Sequence, residues 1–178
     1  MKSHVEQFAD YNLWANARLY EAALALSEFD YRRDVGTFFK SLNGTLNHLL
    51  LTDRIWLKRL TGDGEHPDRL DAIIHEDRHQ LALARAEEDD RIVCFVASLD
   101  DASIAGTLKY ETTSGRPFEQ SRAAVLAHLF NHQTHHRGQA HAILSICTGQ
   151  EPPPLDLLAM QRGVPAPDLR ALVSRSGF

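Results

Sequence analysis

The chain has 178 residues, of which 43% are hydrophobic and 24% charged, which is ordinary for a globular protein and excludes disorder over most of the length. That length is enough for one domain with a full hydrophobic core. The formal net charge is −5 with Lys and Arg dispersed, which argues against nucleic-acid binding, since that draws on a clustered basic surface.

Apolar spacing predicts a first helix over 3–26, where Phe8, Tyr11, Ala15, Leu19, Ala22 and Leu26 recur every three or four residues. A break follows over 27–39. A second helix is expected over 40–60 from Leu42, Leu46, Leu49, Trp56 and Leu60, stopped by Thr61-Gly62-Asp63-Gly64 and Pro67. Leu70, Ile74, Leu81, Ala84, Ile92, Phe95 and Leu99 suggest a third, long helix over 68–99. Alternation from Thr107 to Thr112, then Ser114-Gly115, favours a short hairpin. The fourth helix is expected over 119–148, ending at Gly149, and Pro152-Pro153-Pro154 blocks any continuation. A last short helix fits 155–161. The expected fold is therefore all-α, a four-helix bundle over 1–162 with long crossover connections and a loosely attached tail over 163–178.

No apolar run approaches the ~20 residues of a membrane span, and the N-terminal stretch lacks a signal-peptide core. A cytoplasmic protein without a membrane partner is expected. Cys94 and Cys147 lie far apart and outside any CxxC pair, so they read as reduced structural thiols.

Ten histidines stand out, four of them between His128 and His136. His132 and His136 are four residues apart, so they project from one face of the fourth helix. Val125, Leu129, Gln139 and Ile143 share that stripe, which turns the pair toward the core. There an imidazole needs partners for both ring nitrogens, and a metal ion supplies one. His48 is the candidate third ligand, flanked by Leu46, Leu49 and Leu50 and sharing its stripe with the small Gly44, Thr45 and Thr52. Three neutral imidazoles leave open coordination positions, as chemistry requires. By contrast His75-Glu76-Asp77-Arg78-His79 matches the H-E-x-x-H motif of zinc proteases in spacing only. Its charged surroundings mark a solvated face. His4, His66 and His141 receive no role. Asp53 points to another face of the second helix and is no evident general base. Trp56 and Tyr11 read as core packing first, with lining of the metal pocket as the alternative.

Tyr11-Asn-Leu-Trp-Ala-Asn16, Asn47-His-Leu-Leu-Leu-Thr-Asp-Arg-Ile-Trp56, Asn131-His-Gln-Thr-His-His-Arg-Gly-Gln139 and Pro153-Pro-Leu-Asp-Leu-Leu158 together resemble the DinB family of damage-inducible bundle proteins, related to bacterial thiol-dependent S-transferases. The resemblance runs over about 4–162 and is most specific in the fourth helix. It implies a bundle of unusual connection order, a homodimer, and one divalent ion, nickel or zinc, on His48, His132 and His136. His135 and Arg137 belong to the motif without needing to touch metal, and His128 is placed to orient a ligand or a water. The relatives imply a metal-dependent transferase acting on a small-molecule thiol, with hydrolysis next. The alternative is a non-catalytic metal-binding stress-response module.

Overall fold

Four long helices pack their apolar stripes against one another. The computed structural model describes residues 1–67 and 69–175. In chain order it contains α1 (Lys2–Leu24), α2 (Glu28–Arg32), α3 (Leu42–Thr61), α4 (Arg78–Ser98), α5 (Asp101–Ala105), β1 (Thr107–Glu111), β2 (Pro117–Ser121), α6 (Arg122–Thr148), α7 (Leu157–Gln161) and α8 (Leu169–Arg175). The fold is all-α apart from one two-stranded hairpin. The ends of the helices follow capping chemistry. Ser41 Oγ accepts from the Gly44 N–H at the start of α3, while Gly62 and Gly149 close α3 and α6 in the left-handed conformation.

Around the bundle, α1 and α3 each pack against both α4 and α6, so α1 lies diagonal to α3, and α4 to α6. The core falls into two apolar clusters. One gathers Leu19 and Tyr20 of α1, Leu42 and Leu46 of α3, Leu81 of α4, and Ile143 and Leu144 of α6. The other gathers Val5 and Ala9, Leu57 and Leu60, Ile92 and Val96, and Val125 and Leu129. Hence α1 and α6 run one way, and α3 and α4 the other. Because α3 and α4 are parallel neighbours, the connection between them must return along the whole bundle. The crossover expected from the sequence is there.

That return corrects the third predicted helix, which begins at Arg78 and not in the high sixties. Residues 69–77 form no helix; position 68 lies outside the described residues. Asp77 caps α4, its carboxylate accepting from the His79 and Gln80 N–H groups at 2.9 Å and 2.8 Å. Leu70 and Ile74 fit the helical spacing of Leu81, but Leu70 is 50% exposed. The hairpin pairs Thr107 with Ser121 through Glu111 with Pro117, antiparallel. It takes residues 119–121 from the expected fourth helix.

The segment after Gly163, expected to hang loose, is held down. Leu169 and Val173 of α8 are buried in the first cluster. Trp14 Nε1 donates to the Val164 carbonyl at 2.7 Å, and Arg18 Nη1 to the Pro165 carbonyl at 2.8 Å. Residues 176–178 lie outside the description. Leu126 and Phe130 of α6 are 1% and 6% exposed, packed within the chain's own second cluster. Among the described residues no helix is long and apolar enough to cross a membrane.

Candidate metal centre

On the seam between α3 and α6 the structure brings His48, His132 and His136 together. One ring nitrogen from each lies within 4.8 Å of the other two, close enough for one ion. Ring centroids are 4.4 Å apart for His132 and His136, 4.5 Å for His48 and His136, and 5.3 Å for His48 and His132. His48 is buried and the other two are half-buried.

Hydrogen bonds choose the tautomers. His48 Nδ1 lies 2.9 Å from the Leu70 carbonyl, which only accepts, so Nδ1 carries the proton and Nε2 keeps its lone pair. Gln139 accepts the same bond from His136 Nδ1 at 2.8 Å, while its amide group donates to His135 Nε2 at 3.3 Å. Two of the three imidazoles thus present Nε2 as a free donor of electrons, the arrangement that metal-ligating histidines show. The donor set fits a first-row divalent ion.

The groups that hold His48 come from loops. Asn47 Oδ1 accepts from the Ile74 and His75 N–H groups at 2.8 Å and 3.0 Å, and its Nδ2 donates to the His75 carbonyl at 3.1 Å. That clamp sets the returning chain against α3 with the Leu70 carbonyl on His48. Across the ring, Phe39 stacks at 4.0 Å and also meets His136 edge-on at 5.6 Å. The tight turn holding Phe39 places Lys40 at a φ of 66°. It also lays the Phe39 carbonyl on Gly44, where a β-carbon would sit 2.1 Å from that oxygen.

Burial and mutual repulsion keep these imidazoles neutral. Burial pushes His132 down to about 3, with His136 and His48 adding to the effect. Burial also lowers His48, against the Leu70 bond, and lowers His136, against the Gln139 bond. A metal needs the neutral form, so protons compete weakly here. His128, one turn before His132, is exposed and stacks edge-on with Trp56 at 4.9 Å. Burial, then the charge of Arg59, keeps it neutral too. The H-E-x-x-H residues do not form a site: His75 lies in the loop before α4, and His79 in its first turn.

A profile of the DinB family matches residues 1–168. The chain belongs to the DinB family. It is also similar to Protein DinB of Bacillus subtilis (strain 168), 24% identical over 143 residues that cover 76% of this chain and 81% of that protein.

Five polar residues of the DinB motif segments, Asn12, Asn16, Asp53, Gln133 and Arg137, share an address that the sequence did not disclose. Asn12 and Asn16 of α1, Asp53 of α3, Arg85 and Asp89 of α4, and Gln133 and Arg137 of α6 form one buried polar belt between the two apolar clusters. Arg85 bridges Asp53 at 2.7 Å and Asp89 at 3.0 Å. Asn12 and Asn16 donate to Asp89 at 3.0 Å and 2.9 Å, and both accept from Arg137 Nη1, at 2.7 Å and 3.2 Å. Gln133 donates to Asp53 and, at 3.2 Å, to the Leu49 carbonyl. Two guanidinium groups face two carboxylates. Burial still pushes Asp53 up to about 6, against the pull of Arg85. Asp53 is thus a structural ion-pair partner. Of the two side chains read as core, Tyr11 is buried, its hydroxyl donating to the Leu155 carbonyl at 2.7 Å, whereas Trp56 is only half-buried.

Proposed function

We propose that this DinB protein holds one divalent ion, nickel or zinc, on Nε2 of His48, Nε2 of His136 and a ring nitrogen of His132, and uses it for thiol S-transfer. The observation that carries this reading is the convergence of three neutral imidazoles within 4.8 Å, two with their second nitrogen already committed. The ion would supply Lewis acidity that makes a thiol a better nucleophile near neutral pH. The Leu70 carbonyl and Gln139 fix ring orientation, and Phe39 covers one side against water. Hydrolysis is the next reaction in line on the same centre. The protein acts in the cytoplasm on a small-molecule thiol, as a homodimer, in a stress response.

Substituting cobalt tests both levels. His48→Ala, His132→Ala and His136→Ala should each cut the bound metal severalfold by elemental analysis, while His75→Ala with His79→Ala leaves it unchanged. Low-molecular-weight thiols should then add a saturable near-ultraviolet band to the wild-type cobalt spectrum. Full metal content in His48→Ala would overturn the centre. A spectrum unmoved by thiols or small anions would leave a non-catalytic module that ties α3 to α6.

A further inference from the structure

Beside the histidines the α3–α6 seam continues toward the hairpin. Trp56 on α3 and Tyr110 on β1 stand half-buried with ring centroids 5.4 Å apart. The Arg59 guanidinium lies 4.6 Å and 5.0 Å from those centroids, and its Nε donates to the Glu111 carbonyl at 3.1 Å. Cation–π contacts with a backbone anchor make the two rings a fixed wall. His128 meets Trp56 edge-on at 4.9 Å, and its ring centroid is 5.8 Å from that of His132. The cleft that the Trp56, Tyr110 and His128 rings line measures about 310 Å³ and is completed by Gln120, Ala124 and Val125.

Its lining chemistry is selective. Among the described residues no charged side chain lines the cleft itself; Arg59 is engaged by the Trp56 and Tyr110 rings and the Glu111 carbonyl and is not among the lining groups. The Tyr110 hydroxyl donates to Gln120 Oε1 at 2.5 Å, which leaves the Gln120 amide hydrogens to donate elsewhere. No described residue hydrogen-bonds the ring nitrogens of His128. Flat aromatic faces with donors at the rim reward a planar π-system that carries an acceptor.

We propose that this cleft is a binding subsite for a flat, uncharged, conjugated group bearing a carbonyl, the reacting end of the second substrate. One side chain separates it from the three histidines. The substrate role rests on the metal-centre reading above; occupancy of the cleft does not, because none of its lining residues belongs to the metal set.

Two amides that differ in flatness test it on the full-length, metal-free protein. Benzamide should bind saturably by ligand-observed NMR, and cyclohexanecarboxamide at least about tenfold more weakly. Trp56→Leu should weaken benzamide by about tenfold, and Tyr110→Leu, on the hairpin and not on a bundle helix, gives an independent second variant. His48→Ala should bind benzamide as wild type does, so loss of the metal reading and loss of the subsite are told apart. Equal affinity for the two amides, no binding of either, or wild-type affinity in both aromatic variants would overturn the subsite.

Discussion

At the scale of single residues, two signals of different legibility build the centre. His132 and His136 could be read from sequence because four-residue spacing on a helix is local information, and His48 because leucines bracket it. The Leu70 carbonyl and Phe39 could not, because loops carry no periodicity and a backbone oxygen has no sequence signature; the loop partners of Asn47 escaped with them. Gly44 is the residue where loop and helix meet. The Phe39 carbonyl occupies the space a methyl group would need, 2.1 Å from an added β-carbon. Gly44→Ala must therefore push the Phe39 turn away from His48. We expect a loss of about 1–3 kcal/mol by urea unfolding, accompanied by weaker metal retention because Phe39 no longer backs the ring. A gain in stability, as helical alanine normally gives over glycine, would show that the turn yields freely.

At the scale of elements, four helices are locked in register by polar groups. Apolar patterning finds helices but assigns Asn, Asp, Gln and Arg to the surface. For that reason Asn12, Asn16, Asp53, Arg85, Asp89, Gln133 and Arg137 escaped as a set, although five of them lie in the motif segments that carry the family resemblance. The same patterning extended the third helix too far, since Leu70 and Ile74 keep helical phase by chance while Asn47 binds the backbone at Ile74 and His75. Charges this deep are costly to strand. Asp53→Ala leaves Arg85 with Asp89 alone and Gln133 with only the Leu49 carbonyl, and should cost about 3–5 kcal/mol in chemical denaturation. Arg85→Met should cost a similar amount by stranding Asp53 and Asp89. The double variant should lose clearly less than the two added together, because the second change removes the charge that the first stranded. Strict additivity would mean that the belt members act independently.

At the scale of the whole molecule, the order of the four long helices was legible only as a possibility left open by long connections. What decides it is the pair of apolar clusters, each built from one end of all four helices. The tail was misread because its apolar run, Leu169 to Val173, is too short to show a helical period; its other anchors are carbonyls gripped by Trp14 and Arg18 of α1. The fold also gathers groups that respond to acid in opposite senses. In the metal-free protein His48, His132 and His136 have lowered pKa values, His132 down to about 3. The unfolded chain binds protons on these rings near 6.5, while the folded chain takes them up only at lower pH, His132 last. Their contribution to stability is present above 6.5 and is lost as pH falls toward 3. Asp53 and Asp89 are raised, Asp53 to about 6, so they favour the folded state increasingly as pH falls from about 6 toward 4. A comparison of variants separates the two. Melting temperature of metal-free wild type should fall from pH 7 to pH 4.5 more steeply than that of His132→Gln, which cannot take up the proton. Bound metal should shift the onset of that fall to lower pH in the wild type, since the ion stabilises the neutral rings. Parallel curves for wild type and His132→Gln would show that the histidine cluster does not govern acid stability.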